Sequence, residues 1–168
     1  MKYNPEIHRR KTIRLSWYDY SQEWLYFITI SVQNKLCLFW KIVSGEMYLN
    51  NAGNMIEKEW IDIENRFQNT KLHNFVVMPN HFHAIIENVS NDESIKLWDV
   101  IWGFKSITTH AYIELVHAGK AKNFNKKLWQ RNYYEHIIRD EVWYNKISDY
   151  IENNIERWNE DIFYIDEF

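Results

Sequence analysis

The clearest structural signal in this sequence is the run His73-Asn-Phe-Val-Val-Met-Pro-Asn-His-Phe-His-Ala-Ile-Ile86, in which two apolar segments flank Pro79-Asn80. The aromatic and β-branched residues of both segments predict strands over 73–78 and 81–86. Proline followed by asparagine suits the two central positions of a tight turn. The run is therefore predicted to form a β-hairpin.

Helices and strands alternate on both sides of this hairpin. A buried strand over 24–32 comes before it, and an aromatic-rich strand within 128–138 comes after it. The other predicted elements are a small hairpin of 37–41 and 46–49 that extends or decorates the sheet edge, and helices over 50–67, 94–116 and 141–158. Without the small hairpin, the order β-α-β-β-α-β-α is the ferredoxin-like split βαβ pattern. We therefore expect an α+β fold with an antiparallel sheet, helices on one face and an additional C-terminal helix.

Length and composition limit the class of protein. The chain has 168 residues with 9 Trp, 11 Tyr and 9 Phe but only 4 Gly and 2 Pro. This is enough apolar material for a folded core, and it excludes a disordered or linker-rich chain. We expect one domain over 1–168, with a basic N-terminal arm at 1–20 and an acidic tail at 159–168.

The single cysteine, Cys37, excludes an internal disulfide and a multi-cysteine zinc site. A reducing compartment fits such a chain. The longest nearly apolar stretch, 24–30, is too short to cross a membrane, and the polar N-terminus lacks the apolar segment of a secretory signal. We therefore expect a cytoplasmic protein without a membrane partner.

The formal net charge of −3 hides an uneven distribution. Basic residues are concentrated in 2–14 and 119–139, whereas acidic residues dominate from 140 to the end. A net negative charge alone argues mildly against a nucleic-acid partner. Two locally basic segments are nevertheless compatible with contacts to DNA phosphates.

Two pairs of residues are candidates for chemistry. His81 and His83 lie two apart on a predicted strand, so their imidazoles share one face and could bind a metal ion. Alternatively, they are polar residues on a solvated face. Tyr150 and Asn154 lie one turn apart on the last predicted helix. Tyr150 could instead be a packing residue with its hydroxyl in solvent, and Asn154 a polar residue near the end of the helix.

Two motifs carry a family resemblance. The run Val76-Val-Met-Pro-Asn-His-Phe-His-Ala-Ile-Ile86 resembles the His-hydrophobic-His signature of the HUH single-tyrosine transposases. The sequence Trp-Gln-Arg-Asn-Tyr-Tyr-Glu-His-Ile-Ile-Arg at 129–139, followed by Tyr-Ile-Glu-Asn-Asn at 150–154, resembles the C-terminal signature of their REP-associated branch. Shorter matches in the family's order lie at 9–14, 19–21, 26–29 and 104–106.

The sequence also departs from the family pattern. Ile155 follows Asn154, whereas the family usually has proline at this position. The last helix is therefore expected to continue to about Trp158. Phe82 replaces a smaller or β-branched hydrophobe between the histidines. Gln130 and His136 match the motif without a role that follows from their chemistry, and His136 is expected to be structural.

The resemblance implies an enzyme that nicks and rejoins single-stranded DNA at palindromic, hairpin-forming elements. Tyr150 would attack a phosphodiester to form a 5′-phosphotyrosine and a free 3′ hydroxyl, so the bond energy is kept for rejoining. His81 and His83 would hold a divalent cation, Mg²⁺ or Mn²⁺, with Asn154 as the third protein ligand. Such a cation neutralises charge on the phosphate in the transition state.

The same resemblance implies that several basic and aromatic side chains contact DNA, whereas charged runs otherwise only face solvent. The basic side chains expected to contact DNA phosphates are Arg9, Arg10, Lys11, Arg14, Lys105, Lys120, Lys122, Lys126, Lys127 and Arg131. The aromatic residues Trp129, Tyr133 and Tyr134 could stack on unpaired bases or be buried in the sheet. Glu135 is a candidate hydrogen-bond partner behind a metal-binding histidine.

Two other functions remain open at this stage. One is a metal-dependent nuclease that activates water at the histidine pair, with Tyr150 as a structural residue. The other is a catalytically silent protein that binds hairpin DNA or RNA. Relatives include monomers and homodimers that share composite active sites, and the sequence does not choose between these states.

Overall fold

The helices and strands follow one another in the predicted order. A computed structural model describes residues 24–43, 46–89 and 96–165. The elements are β1 (Trp24–Ser31), β2 (Trp40–Val43), β3 (Glu46–Leu49), α1 (Asn51–Ile61), α2 (Ile63–Arg66), β4 (Thr70–Val77), β5 (His81–Asn88), α3 (Leu97–His117), β6 (Tyr134–Ile138) and α4 (Glu141–Glu152). Short 3₁₀ turns cover Gln33–Lys35 and Trp158–Glu160. The predicted N-terminal arm, the turn at Gly45 and the expected start of the second helix at Ser94 lie outside the described residues.

Four strands form one antiparallel sheet in the order β4-β5-β1-β6. Strands β1 and β4 are parallel to each other with β5 between them, and β5 and β6 are parallel with β1 between them. Each of these split pairs is joined through a helix, so the predicted ferredoxin-like α+β fold is confirmed. Within the described ranges, strands β2 and β3 pair only with each other, as a separate two-stranded sheet rather than an extension of the main edge.

The alternation of side chains along β5 divides the molecule into two layers. Phe82, Ala84 and Ile86 point into the main core beneath α1 and α3, where the Phe82 ring packs against Trp60 at 4.9 Å and Phe104 at 5.4 Å between centroids. The other face of the sheet is covered by α4, the helix that carries Tyr150. The histidine pair therefore lies in the layer between the sheet and α4.

The helix predicted over 50–67 is two helices, because the α-helix is interrupted at Asp62. The Asp62 carboxylate accepts hydrogen bonds from the side chains of Asn65 and Arg66, one turn further along the chain. Such contacts between side chains three and four residues apart support the single turn of α2, which ends at Arg66.

The helix predicted over 141–158 was too long, since α4 ends at Glu152. Its N-terminus is fixed by Asp140, whose side chain accepts a hydrogen bond from the backbone N–H of Trp143. After the helix the chain turns back to the sheet, where Trp158 is buried at 5% exposure in the apolar cluster beneath α4. The turn also places Asn154 outside the helix.

Among the described residues, no helix is long and apolar enough to cross a membrane.

Candidate active site between the sheet and the last helix

His81 and His83 are adjacent on one face of β5, with ring centroids 4.5 Å apart. Both side chains are buried, at 0% and 2% exposure, because α4 and the segment that follows it cover this face. A pair of polar residues on a solvated face is therefore not what the structure contains. Buried imidazoles need partners for their ring nitrogens, and these partners define the site.

Asn80 fixes the orientation of His81. The Asn80 amide nitrogen donates to the carbonyls of Lys35 at 3.1 Å and Phe163 at 2.8 Å, so its oxygen faces the Nδ1 of His81, 2.9 Å away. An amide oxygen only accepts hydrogen bonds, which places the imidazole proton on Nδ1. The Nε2 lone pair of His81 is left facing the site, without a hydrogen-bond partner among the described residues.

His83 is held from the neighbouring central strand. Its Nδ1 lies 2.8 Å from the hydroxyl of Thr29, the residue opposite it on β1. Burial lowers the pKa of His83 to about 3, although a hydrogen bond to the backbone of Ile28 acts in the opposite direction. Burial also lowers the pKa of His81 well below its usual value, and the neighbouring His83 and Lys35 lower it further. Both rings are consequently neutral at physiological pH, the state in which imidazole binds metals.

Tyr150 brings the last helix into contact with the histidines. Its hydroxyl lies 3.2 Å from Nε2 of His83, and its ring meets the ring of Phe27 edge-on. The Tyr150 side chain is 41% exposed, so one side of it is open to solvent. Burial of the remainder raises the pKa of the phenol; a hydrogen bond with Asn154 lowers it, and Asp161 raises it. The phenol therefore carries its proton at neutral pH and needs an acceptor before it can act as a nucleophile.

Asp161 is a site residue that the sequence analysis missed. Its side chain is 3% exposed, and its Oδ2 accepts a hydrogen bond from the Tyr150 hydroxyl at 3.3 Å and lies 3.9 Å from Nε2 of His81. One ligand atom each from His81, His83 and Asp161 lies within 4.8 Å of the others. The predicted acidic tail at 159–168 therefore contributes a buried carboxylate to the site. Local sequence contains one signal for this, because Trp158 and Phe163 flank Asp161 in an otherwise acidic segment and can anchor it.

Asn154 lies beside Tyr150, beyond the end of α4. It is 3% exposed, and its Oδ1 has no hydrogen-bond partner within the described part of the chain. Two buried polar atoms, this oxygen and Nε2 of His81, are thus left unsatisfied at the same site. A cation coordinated by both would remove that cost. Imidazole nitrogens with carboxylate and amide oxygens suit a divalent ion such as Mn²⁺, so the residues present fit the metal that the sequence implied.

The candidate DNA-binding cations occupy different environments. Lys105 turns inward, and its ammonium group donates to the carbonyls of Gln130, Arg131 and Asn132 at 3.0 to 3.3 Å. Five of these candidates follow α3 and are exposed, namely Lys120, Lys122, Lys126, Lys127 and Arg131. Arg9, Arg10, Lys11 and Arg14 lie outside the described residues.

The residues around β6 differ in burial and in the face of the sheet on which they lie. Trp129 and Tyr133 are buried, at 5% and 8% exposure, whereas Tyr134 is 55% exposed. Glu135 pairs with Ile28, whose side chain lies in the core beneath α1 and α3, so Glu135 faces away from the histidines. The expectation that it supports a metal-binding histidine was wrong. His136 lies on the α4 side, with its ring centroid 5.6 Å from that of Trp143.

Comparison with known proteins identifies the family of this chain. The profile of the family described as "Transposase IS200 like" matches residues 48–154, which include His81, His83, Tyr150 and Asn154 but not Asp161. The chain belongs to the IS200-like transposase family. An uncharacterised protein from Haemophilus influenzae is 39% identical to it over 177 residues, a match that covers 98% of both chains.

Solved structures share the fold at lower identity. The structure of a REP-associated tyrosine transposase bound to a REP hairpin has a TM-score of 0.60 and 20% identity, and the match covers 88% of this chain and 74% of that one. The crystal structure of a candidate transposase from Deinococcus radiodurans has a TM-score of 0.52 and 15% identity, and covers 83% of this chain and 97% of its own. These two structures support the ferredoxin-like fold.

Proposed function

We propose that this protein cleaves and rejoins single-stranded DNA through a covalent 5′-phosphotyrosine at Tyr150, with a divalent metal ion, Mg²⁺ or Mn²⁺. The proposal depends on one observation, the approach of the Tyr150 hydroxyl to 3.2 Å from Nε2 of His83, in the same cluster as His81 and Asp161. A hydroxyl that bonds to a buried imidazole and a buried carboxylate, which together could hold a metal ion, favours a chemical role for Tyr150 over packing alone.

The protein groups divide into ligands and reacting groups. His81 and His83 would hold the ion with the amide oxygen of Asn154, which leaves the Asp161 carboxylate available as a base. When bound, the ion would neutralise charge on a non-bridging phosphate oxygen and so favour attack on an otherwise resistant diester. The Tyr150 phenol is on the solvent side of this cluster, where a DNA strand can reach it.

The proposed reaction is a transesterification. A bond forms between the Tyr150 oxygen and phosphorus while the bond from phosphorus to the 3′ oxygen breaks. The phenol proton passes to Oδ2 of Asp161, which already accepts a hydrogen bond from that hydroxyl, and the leaving oxygen takes up a proton to become a 3′ hydroxyl. Attack of a 3′ hydroxyl on the phosphotyrosine reverses these steps and rejoins a strand.

Two findings favour hairpin DNA as the substrate. A protein of similar fold has been solved in complex with a REP hairpin. In this chain the exposed cations that follow α3 give an anionic backbone a place to bind despite the net negative charge. We expect the protein to act in the cytoplasm, where such DNA is present.

The decisive experiment is capture of the covalent intermediate. The full chain is incubated with Mn²⁺ and a pool of hairpin-flanked single-stranded oligonucleotides, and SDS-resistant adducts are isolated and their DNA sequenced. We expect an adduct that is lost on chelation of the metal and in Tyr150→Phe. The matched control is Tyr144→Phe on the same helix, which should still form the adduct.

The outcomes separate the alternatives. DNA cleaved without an adduct in the parent protein would indicate a nuclease that activates water. Hairpin binding without cleavage in Mn²⁺ would indicate a silent binding protein. An adduct that persists in Tyr150→Phe would place the nucleophile on another residue.

A further inference from the structure

A pocket of about 350 Å³ lies on the outer face of α3, away from the histidine cluster. Its most exposed aromatic residue is Trp102, whose side chain is 68% exposed. The helix stripe Trp102, Lys105, Ser106, Thr109 and His110 forms one wall. The opposite wall is the loop that carries Lys126, Lys127, Trp129, Gln130 and Arg131. Among the described residues that line the pocket, none is acidic.

Internal hydrogen bonds hold the walls of this pocket in place. The buried Trp129 indole donates to the hydroxyl of Thr108 at 2.9 Å, which joins the loop to α3. The Lys105 ammonium bonds to three consecutive carbonyls of residues 130–132, which fixes the backbone of Arg131. Lys126 has a φ of 65°, a left-handed conformation that a non-glycine residue adopts only where surrounding structure imposes it. The cations are therefore presented by an ordered loop.

A second concavity adjoins this pocket. It has a volume of about 330 Å³ and is lined by Gln33, Asn34, Asn125, Lys126 and Lys127, so the two lysines border both spaces. Next to Asn34, the carbonyl of Lys35 accepts a hydrogen bond from Asn80, the residue that orients His81. The two concavities thus share Lys126 and Lys127, which extends the basic surface beyond the pocket at Trp102.

We propose that this pocket binds an unpaired nucleobase of the single-stranded DNA substrate, with Trp102 stacking on the base. Lys126, Lys127 and Arg131 contact the phosphates on either side of that base. An exposed indole face surrounded by cations matches the two chemical features of single-stranded DNA, a flat π-system and a regularly spaced anionic backbone. The stacking role expected of Trp129 and Tyr133 is not open to them, since both are buried.

This inference rests on the proposed function in one respect, namely that the substrate is single-stranded DNA. It does not require the covalent step, so binding can be measured in chelator, where no cleavage occurs. Base stacking tolerates different sequences, and therefore a simple probe suffices.

The test compares two fluorescein-labelled probes of equal charge by fluorescence anisotropy on the full chain. One is an oligothymidylate of about 15 nucleotides, and the other has the same backbone length with abasic residues throughout. We expect Trp102→Ala to weaken binding of the thymidylate about tenfold and to leave the abasic probe unchanged. Trp102→Phe should restore much of the loss, because a phenyl ring also stacks. Lys127→Ala should weaken both probes alike, since it removes a phosphate contact.

Trp143→Ala is the matched control, because Trp143 is 48% exposed on α4 and does not line the pocket. Equal affinity of Trp102→Ala and the parent for the thymidylate would overturn the inference. An equal loss on both probes would also overturn it, because Trp102 would then not act through bases. If Trp102 has the expected effect but the parent forms no adduct with Mn²⁺, the proposed reaction fails while the base pocket stands.

Discussion

The Asp161 carboxylate accepts a hydrogen bond from the Tyr150 hydroxyl at 3.3 Å and lies 3.9 Å from Nε2 of His81. A single carboxylate oxygen therefore lies between the candidate nucleophile and a candidate metal ligand. Burial and the nearby charge of Asp161 keep the phenol protonated at neutral pH, because both raise the pKa of Tyr150. The same carboxylate can accept the proton when the phenol attacks phosphorus. Asp161 can therefore act as the catalytic base although its charge disfavours the phenolate.

This arrangement predicts a large effect of Asp161→Asn. The amide keeps the size of the side chain but loses the charge and the basicity, so the rate of adduct formation should fall about 100-fold. Binding of hairpin DNA in chelator should stay the same, because the substitution leaves the exposed cations intact. Single-turnover adduct formation in Mn²⁺ measures the first quantity and anisotropy the second. The control is Glu160→Gln, the exposed neighbouring acid, which should retain the parental rate. An Asp161→Asn protein as fast as the parent would contradict the assignment.

Much of the fold could be predicted because local patterns and tertiary contacts agree. The hairpin around Pro79-Asn80 and the helices beneath the sheet have apolar residues at regular spacing. Both are present in the structure. The predicted helix boundaries failed at two places. The first helix is interrupted at Asp62, and the last helix ends at Glu152, although Ile147, Ile151 and Trp158 keep a helical spacing. Because the apolar spacing continues past both points, it does not show where the helix stops.

The candidate site was only partly predictable for a similar reason. His81, His83 and Tyr150 belong to motifs, and their spacing already indicates a shared face and a helix position. Asp161 belongs to no motif, and it reaches the site only because the segment after α4 folds back over the histidines. The position of Trp102 in a basic pocket likewise depends on a loop that starts about twenty residues later in the chain.

The site is assembled within one chain, which predicts catalysis in cis. Tyr150 already lies 3.2 Å from His83 of the same polypeptide, so a second subunit is not needed to bring them together. A mixture of Tyr150→Phe with a His81→Ala, His83→Ala chain should form no adduct at any ratio. The measurement is adduct yield after co-expression of the two variants with different tags. Recovery of about a quarter or more of the parental yield in the mixture would instead point to a homodimer with composite sites.

Asn80 should matter for both stability and activity. Its buried amide donates to the carbonyls of Lys35 and Phe163 and accepts from His81, so it joins three segments around the site. Asn80→Ala leaves these groups without their partner and should lower the free energy of unfolding by about 2 kcal/mol. Urea unfolding in chelator checks this value. Asn74→Ala is the control, since Asn74 donates to Glu152 at an exposed position and should cost less than about 1 kcal/mol.

For Asn80→Ala protein that remains folded, we also expect adduct formation to require more Mn²⁺. The His81 ring would no longer be held with Nε2 directed into the site, so the Mn²⁺ concentration needed for half-maximal adduct formation should rise about tenfold. An unchanged metal requirement would show that Asn80 serves the fold alone.

The two buried histidines predict that the metal-free protein loses stability on mild acidification. In the folded chain the pKa of His83 is about 3 and that of His81 lies well below its usual value, whereas both titrate near 6.5 when unfolded. Above about pH 6.5 neither state takes up protons at these rings, so their full contribution to stability is present. As the pH falls below that value, protons bind only to the unfolded chain, and the free energy of unfolding should drop by about 2 kcal/mol through His83 by about pH 5, with a further loss through His81. Urea titrations in chelator at several pH values measure this slope.

His83→Gln should make the dependence of stability on pH less steep, and His110→Gln, which replaces an exposed histidine, serves as the control. A slope in His83→Gln as steep as in the parent would mean that other groups cause the acid sensitivity.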